Sequence, residues 1–286
     1  MSEQTVFLNG ENLPLSEAKV SVLDRGFVFG DGVYEVIPAY GGRLFRFDEH
    51  MRRLQDSLDA IRLNNPYHHA EWQEILTTLL KPNGTGDQSV YLQLTRGVAP
   101  RDHGFPQAAQ ATVFAMANPL PEADKALLQN GIEAVSLPDS RWQHCNIKSI
   151  ALLANILLRQ QAMDEQAMEA ILIRDGLITE GAASNVFIVK KGVIKTPIKD
   201  NHLLPGITRD LVVELAHANQ LACEETTLSE NDLRQADEIW LTSSTKEILP
   251  VTTLNHRPVS GGKPGPIWQK MYTLFQAYKA NLRKPV

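Results

Sequence analysis

The segment Asn118-Pro119-Leu120-Pro121-Glu122-Ala123-Asp124 constrains the fold more than any other part of the chain. Its prolines lack the amide hydrogen that helix and strand ladders need, and its polar neighbours break any hydrophobic period. On both sides of it, short strand patterns mix with helical ones. The expectation is an α+β chain in two domains: a smaller one over 1–118, a linker over 119–124 and a larger one over 125–286. At 286 residues there is enough chain for two cores of ordinary size.

Before the linker, Val6-Phe7-Leu8-Asn9-Gly10-Glu11 reads as a strand meeting a tight turn. Val20-Ser21-Val22-Leu23 leads into a turn-rich loop over 24–32, and Val33-Tyr34-Glu35-Val36 alternates like a half-buried strand. Asp48 is expected to cap a helix whose Met51, Leu54, Leu58 and Ile61 follow helical spacing. A second helix is expected over 72–80, with strands over 90–94 and 111–116. Beyond the linker, the patterns predict a helix over 151–162 and a hairpin across Asp175-Gly176. Strands over 185–189, 193–195 and 238–241 and helices over 211–218 and 267–282 complete the reading. Ser229 with Asp232 resembles a capping box. There is little sign of βαβ alternation.

Composition removes several classes of function. Basic residues number 28 and acidic residues 33, a balance of −5, and no basic stripe is evident, so nucleic acid is not an expected partner. No apolar run is long enough to span a bilayer, so no membrane partner is expected either. Met1-Ser2-Glu3-Gln4-Thr5 lacks the charged and apolar regions of a signal peptide. Cys145 and Cys223 are the only cysteines, and the setting expected is a soluble cytoplasmic one. His68-His69 has no carboxylate or cysteine cluster near it, so no metal is expected. The glycines at 26–32 have neither dinucleotide nor P-loop spacing.

The chemistry points elsewhere. Lys148 closes Arg141-Trp142-Gln143-His144-Cys145-Asn146-Ile147-Lys148, just ahead of an apolar helical run. A lysine that begins a buried helix must be paired or chemically used. Thr179-Glu180-Gly181 follows, then the helix start Gly206-Ile207-Thr208 and the hydroxyl-rich Thr242-Ser243-Ser244-Thr245. An amine for a Schiff base, a carboxylate for a pyridinium nitrogen and donors for a phosphate are what pyridoxal phosphate requires. Singly, each group has a plainer reading. Glu180 alone is a turn acid, Arg53 off its helix's apolar stripe is a surface residue, and Arg101-Asp102-His103 is an exposed polar loop. Cys145 reads as small buried filler.

In combination the segments are distinctive. From about Val20 to about Pro250 the chain resembles the class IV, pyridoxal-phosphate-dependent aminotransferases of fold type IV. The likeness rests on Asp24-Arg25-Gly26-Phe27-Val28-Phe29-Gly30-Asp31-Gly32-Val33-Tyr34-Glu35, Glu49-His50-Met51-Arg52-Arg53-Leu54 and Thr95-Arg96-Gly97-Val98-Ala99-Pro100-Arg101-Asp102-His103, besides the segments above. The resemblance implies a cofactor held between the two domains, with Lys148 as Schiff-base lysine and proton carrier and Glu180 on the pyridine nitrogen. It puts Arg53, Ile207, Thr208, Ser243 and Ser244 on the phosphate and Leu204 behind the ring. Tyr34, Arg101 and His103 would bind the substrate α-carboxylate, the last two from the partner subunit of a homodimer.

Pro100-Arg101-Asp102-His103 resembles the carboxylate trap of the D-specific subgroup. The implied reaction is therefore ping-pong amino transfer between D-amino acids, such as D-alanine and D-glutamate, and 2-oxo acids. A branched-chain L-amino acid aminotransferase, an aminodeoxychorismate lyase and a catalytically silent cofactor binder are the alternatives. Ala182-Ala183 departs from the serines often found after Glu-Gly, which bears on the polar contacts along the cofactor's hydroxyl side.

Overall fold

In the computed structural model, residues 3–80, 86–108 and 110–283 are described. They fall into two compact units. The first takes the chain up to Pro121 together with Ile147–Ala151 and the end from Leu282; the second takes Glu122–Asn146 and Leu152–Asn281.

The first unit is built on β1 (Thr5–Leu8), β2 (Glu11–Pro14), α1 (Arg25–Phe29), β3 (Gly32–Tyr40), β4 (Arg43–Leu44), α2 (Phe47–Ala60), α3 (His69–Leu80), β5 (Gln88–Thr95) and β6 (Thr112–Pro119). Its sheet is antiparallel with strand order β2-β1-β6-β5-β3-β4. β5 alternates buried and half-buried residues, as a strand with one face on a core must. That core packs Val33, Ile37, Val90, Leu92 and Leu94 of the sheet with Leu54 and Leu58 of α2 and Trp72 and Leu76 of α3. Burying each large side chain contributes about 1.5–3 kcal/mol.

Two local readings change here. Asp48 lies in the first turn of α2 and does not cap it; Arg46, at φ 48°, holds the cap position. The loop expected over 24–32 contains α1, which Asp24 caps by accepting from the Gly26 amide and which Gly30, at φ 67°, ends in the left-handed region. Residues 20–23 form no strand.

The linker is not a single crossing. β4 pairs with β3 only at Ala39 and Tyr40, so the first half of β3 has an open edge. Ile147–Ala151 fills it: the Tyr34 amide donates to the Lys148 carbonyl at 2.9 Å, the Ile150 amide to the Gly32 carbonyl at 3.1 Å, and Val33 bridges to Ser149. Lys148 thus groups with the first unit although it follows the linker in sequence.

The second unit contains α4 (Lys125–Asn130), β7 (Ile132–Pro138), α5 (Leu153–Asp164), β8 (Glu169–Arg174), β9 (Leu177–Gly181), β10 (Asn185–Lys190), β11 (Val193–Thr196), α6 (Ile207–Ala218), β12 (Cys223–Glu225), α7 (Glu230–Arg234), β13 (Glu238–Ser243), β14 (Glu247–Leu254), β15 (Arg257–Pro258) and α8 (Pro266–Leu282). Its sheet runs β12-β11-β10-β13-β14-β7-β8-β9, with β15 on β14. β7 and β8 are parallel across α5, and β11 and β12 are parallel across α6. Two βαβ connections therefore exist that the sequence pattern did not reveal. The Ser229–Asp232 capping box is present. Among the described residues, no helix is long and apolar enough to cross a membrane.

Candidate active site

Lys148 lies in the irregular stretch ahead of α5 and not on a buried helix. Leu153, Ile156 and Leu157, the apolar run that was to bury it, are at least 60% exposed. What sets the lysine is the β3 edge. Its amide donates to Ser57 Oγ at 3.2 Å, and its half-buried side chain places Nζ 4.2 Å from the centroid of the Tyr34 ring. An aromatic face beside the amine limits where the nitrogen sits. Tyr34 and Lys148 are thus brought together within the first unit.

Arg53 proves buried, because its partner comes from the sheet and not from its own helix. Glu35, fully buried on β3, takes Arg53 Nε and Nη2 on its two oxygens, each at 2.8 Å. Glu35 Oε2 also meets His50 Nδ1 at 2.8 Å. Burial opposes the charge of Glu35, but Arg53 and His50 hold its carboxyl well below the usual carboxylate range. Burial and the nearby Arg53 and Lys148 charges outweigh Glu35 at His50 and push its pKa down, so the ring is neutral at pH 7 and donates through Nδ1. His50 Nε2 is buried without a hydrogen-bond partner among the described residues.

In the second unit Glu180, 5% exposed at the end of β9, is fixed on every side. Arg141 Nη1 reaches Oε1 at 2.5 Å; Asn185 Nδ2 and the Leu204 amide reach Oε2 at 3.1 and 3.0 Å. Arg141 is itself gripped by Asp139, with Nε on Oδ1 and Nη2 on Oδ2 at 2.9 Å each. Burial disfavours both charges, yet the Arg141 hydrogen bonds hold Asp139 below its usual range, and Asp139 with Glu180 holds Arg141 above its own. The carboxylate of Glu180 is kept in one orientation. Burial raises the thiol pKa of Cys145, which fills space beside this network as expected.

Ile207 and Thr208 form the buried first turn of α6, and no side chain caps that helix end. Its cap residue Gly206 has no room for a side chain: a Cβ there would sit 1.9 Å from Asn185 Oδ1. α6 packs on β13, at whose end Ser243 and Ser244 lie half-buried; Ser243 Oγ accepts from the Lys246 amide at 3.2 Å. Beside them Thr242 Oγ1 is buried without a hydrogen-bond partner among the described residues. An uncapped helix start next to an orphaned hydroxyl suits an anionic group, and a fixed carboxylate suits a protonated ring nitrogen. These residues fit pyridoxal phosphate.

Arg101 and His103 are exposed on the loop after β5, packed about Phe29. Several supporting residues were not singled out in sequence: Glu35, His50, Ser57, Asp139, Arg141 and Asn185. Glu35, His50 and Arg141 stand inside the quoted segments. Their motif membership was the available signal, but Glu35 meets His50 and Arg53 across 15 and 18 positions, and Arg141 meets Glu180 across 39.

Comparison with known proteins gives the family. Over 271 residues the chain is 42% identical to a D-alanine aminotransferase of Bacillus licheniformis, covering 95% of each. It is 40% identical to one of Staphylococcus haemolyticus over 96% of this chain and 97% of the relative. Among solved structures, a branched-chain amino acid aminotransferase of Escherichia coli superposes with a TM-score of 0.92 at 28% identity, covering 96% and 94% of the two chains. A T.th. branched-chain amino acid aminotransferase complexed with N-(5'-phosphopyridoxyl)-L-glutamate gives 0.89 at 25%, covering 100% and 96%. Residues 32–254 match the family model for amino-transferase class IV. With that span and those full-length relatives, the chain belongs to the class IV aminotransferases.

Proposed function

We propose that this chain is a D-amino acid transaminase that passes amino groups between D-alanine or D-glutamate and 2-oxo acids. One observation carries the reading over its branched-chain rival. The D-alanine aminotransferases match at 38–42% over nearly the whole chain, whereas the branched-chain enzymes share the fold at 28% or less. Pyridoxal phosphate supplies the carbonyl carbon that accepts the amine and the electron sink that makes the substrate Cα–H acidic.

The chain's own residues do the rest. Lys148 Nζ would hold the cofactor between turnovers and would take the proton from the substrate Cα. Tyr34 sets the position of that nitrogen. Glu180 keeps a proton on the ring nitrogen, and Arg141, Asn185 and the Leu204 amide keep Glu180 aimed. Leu204 would back the ring. Arg53, the first turn of α6 at Ile207 and Thr208, and Ser243 with Ser244 take the phosphate. Tyr34, Arg101 and His103 bind the substrate carboxylate.

The active assembly is a homodimer in which Arg101 and His103 serve the neighbouring subunit. An exposed arginine and histidine packed on one ring support this, as does the bare apolar face of α5. Product analysis with each enantiomer of alanine, glutamate and leucine tests the whole reading. Turnover of D-alanine and D-glutamate is expected; good turnover of L-leucine with none of D-alanine would replace it with the branched-chain function.

A further inference from the structure

The loop that carries Arg101 and His103 is exposed throughout 101–105, yet it is tied down from beneath. Arg25, only 4% exposed, sends Nη1 to the backbone oxygens of Asp102 at 2.6 Å and Gly104 at 3.2 Å, the carbonyls on either side of His103. Arg25 Nε is held by Asp31 Oδ2 at 2.8 Å. The same carboxylate grips Arg96 through both oxygens, Nε on Oδ2 at 2.8 Å and Nη2 on Oδ1 at 2.9 Å. Arg96 in turn lies 3.8 Å from the ring centroid of Phe105, farther along the loop. Phe29, the last residue of α1, places its ring 5.4 Å from that of His103 and 5.3 Å from the Arg101 guanidinium carbon.

Two buried arginines around one aspartate make a poor device for stability alone, since desolvation offsets much of the Coulombic gain. What they do well is fix position, because each guanidinium fork accepts only one arrangement of oxygens. We infer that Asp31, acting through Arg25 and Arg96, is the positioning residue that presents Arg101 and His103 to the carboxylate of the amino acid substrate. This rests on the carboxylate-binding role proposed above for Arg101 and His103. It extends that role by assigning their orientation to groups that never touch substrate. A loop ordered in advance spares the binding step the cost of ordering it.

The test is steady-state kinetics of the holoenzyme with D-alanine for Arg25→Lys, Phe29→Leu, Arg101→Ala and the Arg25→Lys/Arg101→Ala double variant. Thermal melting and the visible absorbance of bound cofactor accompany it. Lysine keeps the charge beside Asp31 but cannot hold Asp31 and two carbonyls at once. Phe29→Leu leaves the buried ion pairs intact and so answers the case in which Arg25→Lys does not fold. Each single variant is expected to raise KM by about tenfold while kcat stays within about twofold and the absorbance is unchanged. In the double variant, Arg25→Lys should add less than its full single-variant effect to Arg101→Ala, since only His103 is left to position. An unchanged KM in both Arg25→Lys and Phe29→Leu, or an Arg25→Lys effect that persists at full size without Arg101, overturns the positioning role. An unaltered KM in Arg101→Ala alone overturns the carboxylate-binding role beneath it.

Discussion

Glu35 is the residue on which the first unit's charges converge. It is fully buried and bears Arg53 through a two-point pair and His50 through a third bond. Glu35→Gln leaves the Arg53 charge buried and half-served, so a loss of about 3–5 kcal/mol is expected at pH 7. The sign of its pH dependence is fixed. The folded-state pKa lies below the ordinary value of 4.5, so the parent's advantage is full above that value and shrinks as pH falls toward the folded pKa. Urea unfolding from pH 8 to pH 4 checks both: a constant gap at neutral pH that narrows only in acid. At Glu180 the expectation is kinetic. Glu180→Gln keeps shape and most hydrogen bonds but loses the charge, so single-turnover proton transfer should slow roughly a hundredfold while cofactor retention changes little. Equal rates would give the carboxylate another role. Lys148 and Glu180 could be picked out as candidates through the motif segments they stand in, although the apolar run that was to bury Lys148 is exposed. The burial of Arg53 could not, since the spacing of Met51, Leu54 and Leu58 places it off the apolar stripe and its partner lies 18 residues away on β3.

Elements were legible where their period was long and local. α3, the β8–β9 hairpin and α8 fall close to where the patterns put them, because each is recognised within its own residues. β12 is three residues, Cys223-Glu224-Glu225, mostly charged, and exists only because β11 lies beside it in parallel. α1 hid in a glycine-rich run whose caps, Asp24 and Gly30, look like loop residues. Such segments are decided by tertiary context, which a local period does not contain. The start of α6 combines both kinds of information: Gly206 was visible as a helix-start glycine, but its reason is Asn185. Gly206→Ala would drive a methyl to 1.9 Å from Asn185 Oδ1, moving the amide that holds both Glu180 and the Leu204 carbonyl. A loss of about 1–3 kcal/mol is expected. Cofactor should also leave faster on dialysis, followed by the decay of its visible absorbance. A variant that retains cofactor like the parent would show that this helix start tolerates the methyl.

For the whole molecule the question is assembly. Leu153, Ile156 and Leu157 stand at helical i, i+3, i+4 spacing on α5, each at least 60% exposed, which makes one apolar stripe. A second copy of the chain is the proposed cover, and Ile156→Glu is expected to yield monomers by sedimentation with both cores intact. The sharper expectation concerns how the copies share chemistry. Lys148→Ala removes the amine from its own subunit, whereas Arg101→Ala spoils the carboxylate contact in the neighbouring one. Each homodimer should be nearly inactive at low D-alanine. In a re-assorted mixture about half the dimers are hybrids. Each hybrid has one site with an intact Lys148 and, opposite it, the partner's Arg101, so roughly a quarter of the parent activity should return. Hybrids isolated on two different affinity tags give the measurement directly. If they recover nothing, the loop serves its own subunit, and dimerisation through α5 has no part in binding the substrate.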